Sequence, residues 1–212
     1  EESVGTYSGI HSYGDWGTIN SNTITNSGYN GMKADGEGTV VYYNYVDTFC
    51  NVLDDGGGIY FFPSQGQTSY TNQRKIKFNT VINGIGAGVG TSGGSNSNEA
   101  DGIYMDGATT YVDIDSNNVA YIGDFGIFFN NSNNCNARGN VVYDCGNSAL
   151  LWTRYTTSFP VNNNTLYNNQ FVAKDASQKC MYLRNDVGGT PNFYTGNNNN
   201  FSRPIDDNVT IE

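Results

Sequence analysis

Short apolar bursts recur along the chain, each opened by a small residue. They read Gly9-Ile10, Gly31-Met32, Gly58-Ile59, Gly102-Ile103, Gly126-Ile127, Ala149-Leu150 and Cys180-Met181. Successive openings lie 22, 27, 44, 24, 23 and 31 residues apart. A second burst starts on an Asn and continues into a short, often β-branched segment. Its members are Asn22-Thr23-Ile24, Asn44-Tyr45-Val46, Asn79-Thr80-Val81, Asn118-Val119-Ala120, Asn140-Val141-Val142 and Asn164-Thr165-Leu166, with a degraded seventh near Asn199. No 3.6-residue periodicity is sustained, so the elements are strands. A smallest period of 22 residues is one turn of a coil with short strands and tight corners. The longer intervals are the same coil with insertions, after Tyr60 and around Ala87 to Asn98. Seven such coils stacked at strand spacing give a rod roughly 34 Å long. Every strand then pairs in parallel with its copies above and below, and equivalent side chains form columns.

Composition agrees with frequent corners. The 212 residues include 32 Asn and 27 Gly, poor formers of helix and ordinary strand, yet 14% are aromatic. An inward Asn column hydrogen-bonds along itself as a stacked amide ladder, so the recurrent asparagines read as structural. The prediction is an all-β, single-stranded parallel β-helix of about seven coils spanning 1–212 as one domain. Bare strand edges at both ends suggest a segment of a longer protein, with additional domains as partners.

Alternation sorts the apolar strand into faces. Ile10, Met32, Ile59, Ile103, Ile127, Leu150 and Met181 point inward. The next column points outward: His11, Lys33, Tyr60, Tyr104, Phe128, Leu151 and Tyr182. Rings at Tyr60, Tyr104 and Phe128 either lie under a covering loop or form a sugar-stacking platform, to which Trp16, Trp152 and Tyr155 could add. His11 and Lys33 are candidate substrate contacts on the same column.

Carboxylates gather beside this strand. Asp54 and Asp55 precede the third opening, Glu99 and Asp101 the fourth, Asp124 the fifth, and Asp106 follows the fourth strand. No Lys or Arg occurs between Lys77 and Arg138. Acids one coil apart lie about 5 Å apart at the backbone, near the separation retaining glycosidases use. Crowded like charges also keep one acid protonated. Asp55, Glu99, Asp101, Asp106 and Asp124 are therefore the candidate catalytic residues. Two other uses compete: a calcium site, or Asp-Gly corner chemistry at Asp55-Gly56, Asp101-Gly102 and Asp106-Gly107.

The repeat, most specifically Asp101-Gly-Ile-Tyr-Met-Asp106 through Asn140-Val-Val-Tyr143, resembles the right-handed parallel β-helix of the pectate-lyase-like superfamily. Handedness comes from that likeness. The resemblance implies a secreted carbohydrate-active protein with a polysaccharide or glycan as partner. β-Helix glycoside hydrolases acting on neutral or deoxy sugars are the nearest in pattern. Polygalacturonases share an adjacent Asp pair, here Asp54-Asp55, but the only histidine, His11, lies upstream of it, and Arg74-Lys75-Ile76-Lys77 is a loose echo of their basic motif. A polysaccharide lyase would use calcium and a base such as Lys33, Lys75 or Lys77. A non-catalytic glycan-binding or adhesin-like module is the remaining class.

A formal charge of −10 argues against nucleic acid or a basic membrane-surface role. No apolar run approaches the roughly 18–20 residues of a membrane span. No resident cofactor is expected apart from the calcium alternative. Cys50, Cys135, Cys145 and Cys180 read as buried free thiols, with a Cys135–Cys145 disulfide as the oxidising alternative. Sequons stand at Asn130, Asn163, Asn200 and Asn208.

Overall fold

The computed structural model describes residues 7–63, 70–87, 98–206 and 211–212. Their regular elements are 21 strands in three parallel seven-stranded sheets. Sheet A holds β1 (Ile10–Tyr13), β4 (Met32–Asp35), β7 (Gly56–Phe61), β10 (Ala100–Met105), β13 (Phe125–Asn130), β16 (Ser148–Arg154) and β19 (Lys179–Asn185). Sheet B holds β2 (Thr18–Asn20), β5 (Val40–Tyr42), β8 (Arg74–Lys77), β11 (Val112–Asp115), β14 (Asn136–Arg138), β17 (Thr165–Tyr167) and β20 (Thr195–Asn197). Sheet C holds β3 (Thr23–Thr25), β6 (Tyr45–Phe49), β9 (Thr80–Gly84), β12 (Asn118–Ile122), β15 (Val141–Cys145), β18 (Gln170–Val172) and β21 (Asn200–Ser202). The chain visits A, B and C in turn seven times, which is a parallel β-helix of seven coils.

The register of sheet A is the predicted one. Ile10, Met32, Ile59, Ile103, Ile127, Leu150 and Met181 stack as Cα partners on successive coils. They share one core with Val41, Ile76 and Ile114 of sheet B and Val46, Val81, Val119 and Val142 of sheet C. Each fully buried branched side chain of this kind contributes about 1.5–3 kcal/mol. The small opening residue has a steric cause. A Cβ on Gly102 would lie 2.4 Å from the Gly126 carbonyl oxygen and 2.5 Å from Val119 Cγ1. Gly31 and Gly58 meet the same two kinds of neighbour.

The corner between sheets B and C is two residues long in every coil. Its first residue has a left-handed backbone: Ser21, Tyr43, Phe78, Ser116, Gly139, Asn168 and Asn198, with φ between 54° and 64°. Its second residue is an Asn, and these form a continuous ladder. The Nδ2 groups of Asn22, Asn44, Asn79, Asn117, Asn140 and Asn169 each donate to the next rung's Oδ1, ending on Asn199, at 2.9–3.0 Å. The backbone N–H of each rung donates to that same Oδ1. The amides thus satisfy polar groups that a tight corner would otherwise bury unpaired.

Two asparagines sit elsewhere than the sequence pattern puts them. The fourth rung is Asn117, because Asn118 already lies in β12, opposite Thr80 and Val141. Asn164 leads into β17 of sheet B and bonds Ser132 and Phe193 carbonyls, while the sixth rung is Asn169. In coil six both corners carry an Asn, and Asn164-Thr165-Leu166 resembles the other rungs more than Asn169-Gln170-Phe171 does, so the pattern picks the wrong one. Sheet B gave no signal of its own because no one residue type opens its strands: Gly17, Thr39, Gln73, Tyr111, Cys135, Asn164 and Tyr194 precede them. The four cysteines are free and buried, so the Cys135–Cys145 disulfide does not form.

Candidate functional site

Strands β7, β10 and β13 run in register, and their outward side chains build one surface. Its central column is His11, Lys33, Tyr60, Tyr104, Phe128, Leu151 and Tyr182, each the Cα partner of the next. The rings pack along the solenoid axis. Tyr104 stacks on Phe128 at 4.6 Å and meets Tyr60 edge-on at 5.2 Å. Lys33 Nζ lies 5.3–5.8 Å from the ring centres of Tyr13, Tyr60 and Phe62.

An open platform of Tyr60 and Tyr104 is not what this packing produces. Both are only 4% exposed, as is Lys33, so their ring faces are taken up by neighbours. Phe128 is half-buried, and His11 is exposed beside Tyr13. Accessible aromatic surface on this side comes instead from Tyr13, Phe62 and Tyr155, at 48%, 36% and 44%. Trp152, a further ring that the sequence offered for the platform, is fully buried.

The acids fall into two neighbouring groups. Asp101 lies in β10 opposite Gly57 and is 3% exposed; its Oδ1 accepts the Phe125 N–H at 3.1 Å. Burial, then the charges of Asp124 and Asp55, hold its carboxyl well above the usual range. Asp106, half-buried at the end of β10, is the best-anchored acid. Its Oδ2 accepts from the Tyr60 hydroxyl at 2.7 Å, and its Oδ1 accepts from Asn130 Nδ2 at 2.8 Å and Gly107 N–H at 2.6 Å. Asn130 in turn accepts from Thr153 at 2.8 Å, carrying the network into the next coil.

Asp55 precedes β7 with φ 55° and is exposed as a residue. Loss of solvent around its carboxyl, then Asp106, Glu99 and Asp54, push it up to about 6. The Tyr29 hydroxyl holds the Asp55 carbonyl at 2.8 Å, which fixes this bend. Asp124 lies toward sheet C with Glu99 and Asn147 around an open cleft of about 530 Å³. Burial, then Glu99 and Asp54, push Asp124 up to about 7. Asp101 and Asp124 are offset by one residue: the Asp124 N–H donates to the Ala100 carbonyl, and Phe125 faces Asp101.

Among the described residues no three acidic, His or Cys side chains converge in a group that could hold a metal. Of the basic residues, Lys77 pairs with Asp115 and Arg74 is wholly buried against Asp35 and the Tyr70 ring. Sequence reasoning offered Tyr155 for the platform but gave Asn130 and Thr153 no site role. With Phe128, Arg184 and Asp186, all three line a depression of about 230 Å³ next to Asp106. The signal was the outward column two residues beyond the rings, where Asn130, Thr153 and Arg184 follow one another in register. No protein family, curated protein or solved structure matches this chain, so its geometry alone carries the functional argument.

Proposed function

We propose that the outer face of sheet A is a glycan site and that the protein is a glycoside hydrolase of neutral polysaccharides. The fold reading goes with it: a right-handed β-helix of the pectate-lyase-like superfamily, working outside the cell where such polymers lie. One observation carries the proposal. Asp55, exposed with its carboxyl pushed up to about 6, is electrostatically coupled to Asp106, which three hydrogen bonds orient. With its carboxyl pushed up to about 6, Asp55 keeps part of its protons in mildly acidic solution, where it can protonate a leaving glycosidic oxygen, and an anchored second carboxylate can act as base or nucleophile. Asp101 lies buried behind them; burial and then Asp106 raise the Tyr104 hydroxyl, and burial, then Asp106 and Glu99, raise Asp55. Asp124 is the alternative acid on the cleft toward sheet C. Phe128, Phe62 and Tyr155 would stack sugar rings, while His11 and Lys33 flank the upstream end. A polyuronate would meet this uncompensated acidity as repulsion, which disfavours the lyase reading unless calcium intervenes.

A non-catalytic glycan-binding module is the second reading. The burial of Tyr60, Tyr104 and Asp101 favours it, because groups already satisfied by one another serve a scaffold as well as a reaction. The test is reducing-sugar release from a panel of neutral polysaccharides, with ultraviolet absorbance for unsaturated products alongside. Loss of release in both Asp55→Asn and Asp106→Asn supports hydrolysis here. Activity retained by both variants refutes the assignment, absorbing products indicate a lyase, and binding without either product indicates the module.

A further inference from the structure

The corner between sheets B and C repeats seven times, and at five of them the left-handed residue is Ser, Gly or Asn: Ser21, Ser116, Gly139, Asn168 and Asn198. Gly and Asn suit a positive φ, and Ser brings only a small side chain to it. Coils two and three break the rule. Tyr43 and Phe78 hold φ values of 55° and 56°, where a bulky side chain is disfavoured. Burial gives no reason for them, since they are 57% and 46% exposed. Their rings stack on each other, 5.1 Å apart and within 12° of parallel, and Tyr42 braces Tyr43 edge-on at 5.3 Å. The next two corner positions, Ser116 and Gly139, project no ring, so the stack ends beside open surface. Left-handed backbone alone does not single out this corner, since Trp16, Thr48, Tyr111 and Tyr121 hold it elsewhere; the exposed, mutually stacked pair of rings does.

We infer that Tyr43 and Phe78 form a second glycan-binding platform, on the corner remote from sheet A, for an uncharged polysaccharide chain. Flat, rigid rings with a hydroxyl at one end suit the apolar face of a pyranose. The neighbouring charges point to a neutral ligand. Asp115 accepts from Lys77 at 3.3 Å and Arg138 at 2.9 Å, so the charges of this local cluster are committed to one another rather than to a polyion. The chain's net charge of −10 works against an acidic polymer as well. Ser116 Oγ, bonded to Asp115 at 2.8 Å, and the Tyr42 hydroxyl, bonded to Asn20 at 2.7 Å, supply polar groups at either end of the stack. Binding here requires no chemistry at Asp55 or Asp106, so it stands whether or not the protein hydrolyses anything.

The experiment is affinity electrophoresis of the full chain through gels containing hydroxyethylcellulose, xyloglucan or galactomannan, with polygalacturonate as the anionic control. The double variant Tyr43→Asn with Phe78→Asn places at these corners the residue that coils six and seven carry. Wild type should be retarded by at least one neutral polymer, and the double variant should bind it about tenfold more weakly. Its melting temperature should hold or rise, because Asn accepts this backbone more readily. The single variant Phe78→Ser, which copies the coil-four corner, repeats the measurement in case the double variant aggregates. Phe128→Ala on sheet A should leave the corner-dependent part of retention in place. Unchanged retention in both corner variants overturns the inference, as does no retention of wild type by any neutral polymer. A variant that changes only the oligomeric state overturns it too, since the rings then serve contact between copies.

Discussion

Replacing Asn117 by Ala tests what holds the coils together. Its Oδ1 accepts from the Asn79 N–H at 2.9 Å and Asn79 Nδ2 at 3.0 Å, and its Nδ2 donates to the Ile76 carbonyl at 2.9 Å and Asn140 Oδ1 at 3.0 Å. Asn79 is fully buried and Asn117 is 1% exposed, so water cannot substitute. The variant strands two donors on Asn79 and removes a donor from Ile76, while Asn140 Oδ1 keeps the Asn117 N–H. An orphaned buried group costs about 1–3 kcal/mol, so the loss should be about 3–6 kcal/mol, against a usual total stability of about 5–15 kcal/mol. Asn199 makes comparable bonds to Asn169 and Leu166 at the last rung but is half-buried, where water can replace them. Its replacement by Ala should cost about 1 kcal/mol. Urea unfolding followed by circular dichroism, with midpoints compared at equal slope, reads both. Equal losses in the two variants, or a loss below about 1 kcal/mol for Asn117→Ala, would refute the ladder as a principal tie between coils.

Stability should fall as pH rises from about 4 to about 7. Asp55 and Asp124 have native values near 6 and 7, and Asp54 and Asp101 are also raised, so the folded state binds more protons than the unfolded chain across that window. Below it the slope reverses, because Asp47, Asp115 and Asp144 are lowered and Glu37 is held at about 2. Melting temperature against pH should therefore peak on the acid side, and Asp124→Asn should flatten the fall toward neutrality; a maximum above pH 7 would contradict this. Asp35→Asn should cost about 3–5 kcal/mol by leaving the fully buried Arg74 guanidinium without its carboxylate. The double change Asp35→Leu with Arg74→Met should recover much of that loss in the same urea assay. The four thiols should resist a maleimide until the chain is unfolded, and reductant should leave the melting temperature unchanged; rapid labelling of the native protein would contradict their burial.

The sequence was most readable where one residue type meets one steric demand. Gly31, Gly58 and Gly102 have no room for a Cβ, so a glycine marks each of these openings and the apolar residue after it marks the stacked column. The amide ladder was readable for the same reason, apart from two rungs: adjacent asparagines hid Asn117 behind Asn118, and an Asn at the coil-six corner into sheet B, Asn164, stood in for Asn169. Site geometry was less readable. Alternation told correctly that Tyr60 and Tyr104 face outward, yet outward and exposed are different properties. Stacking at one coil per layer brings each ring against the next, and Lys33 is drawn among the rings because a cation gains from their faces. The same closeness gathers acids from separate coils and shifts their protonation, an effect that depends on side-chain directions no spacing rule records. Asp55 shows the point: only its left-handed backbone and the Tyr29 bond to its carbonyl fix where it stands beside the other acids. A parallel β-helix therefore makes its layers predictable from spacing, while the chemistry on its surface depends on how the layers crowd one another.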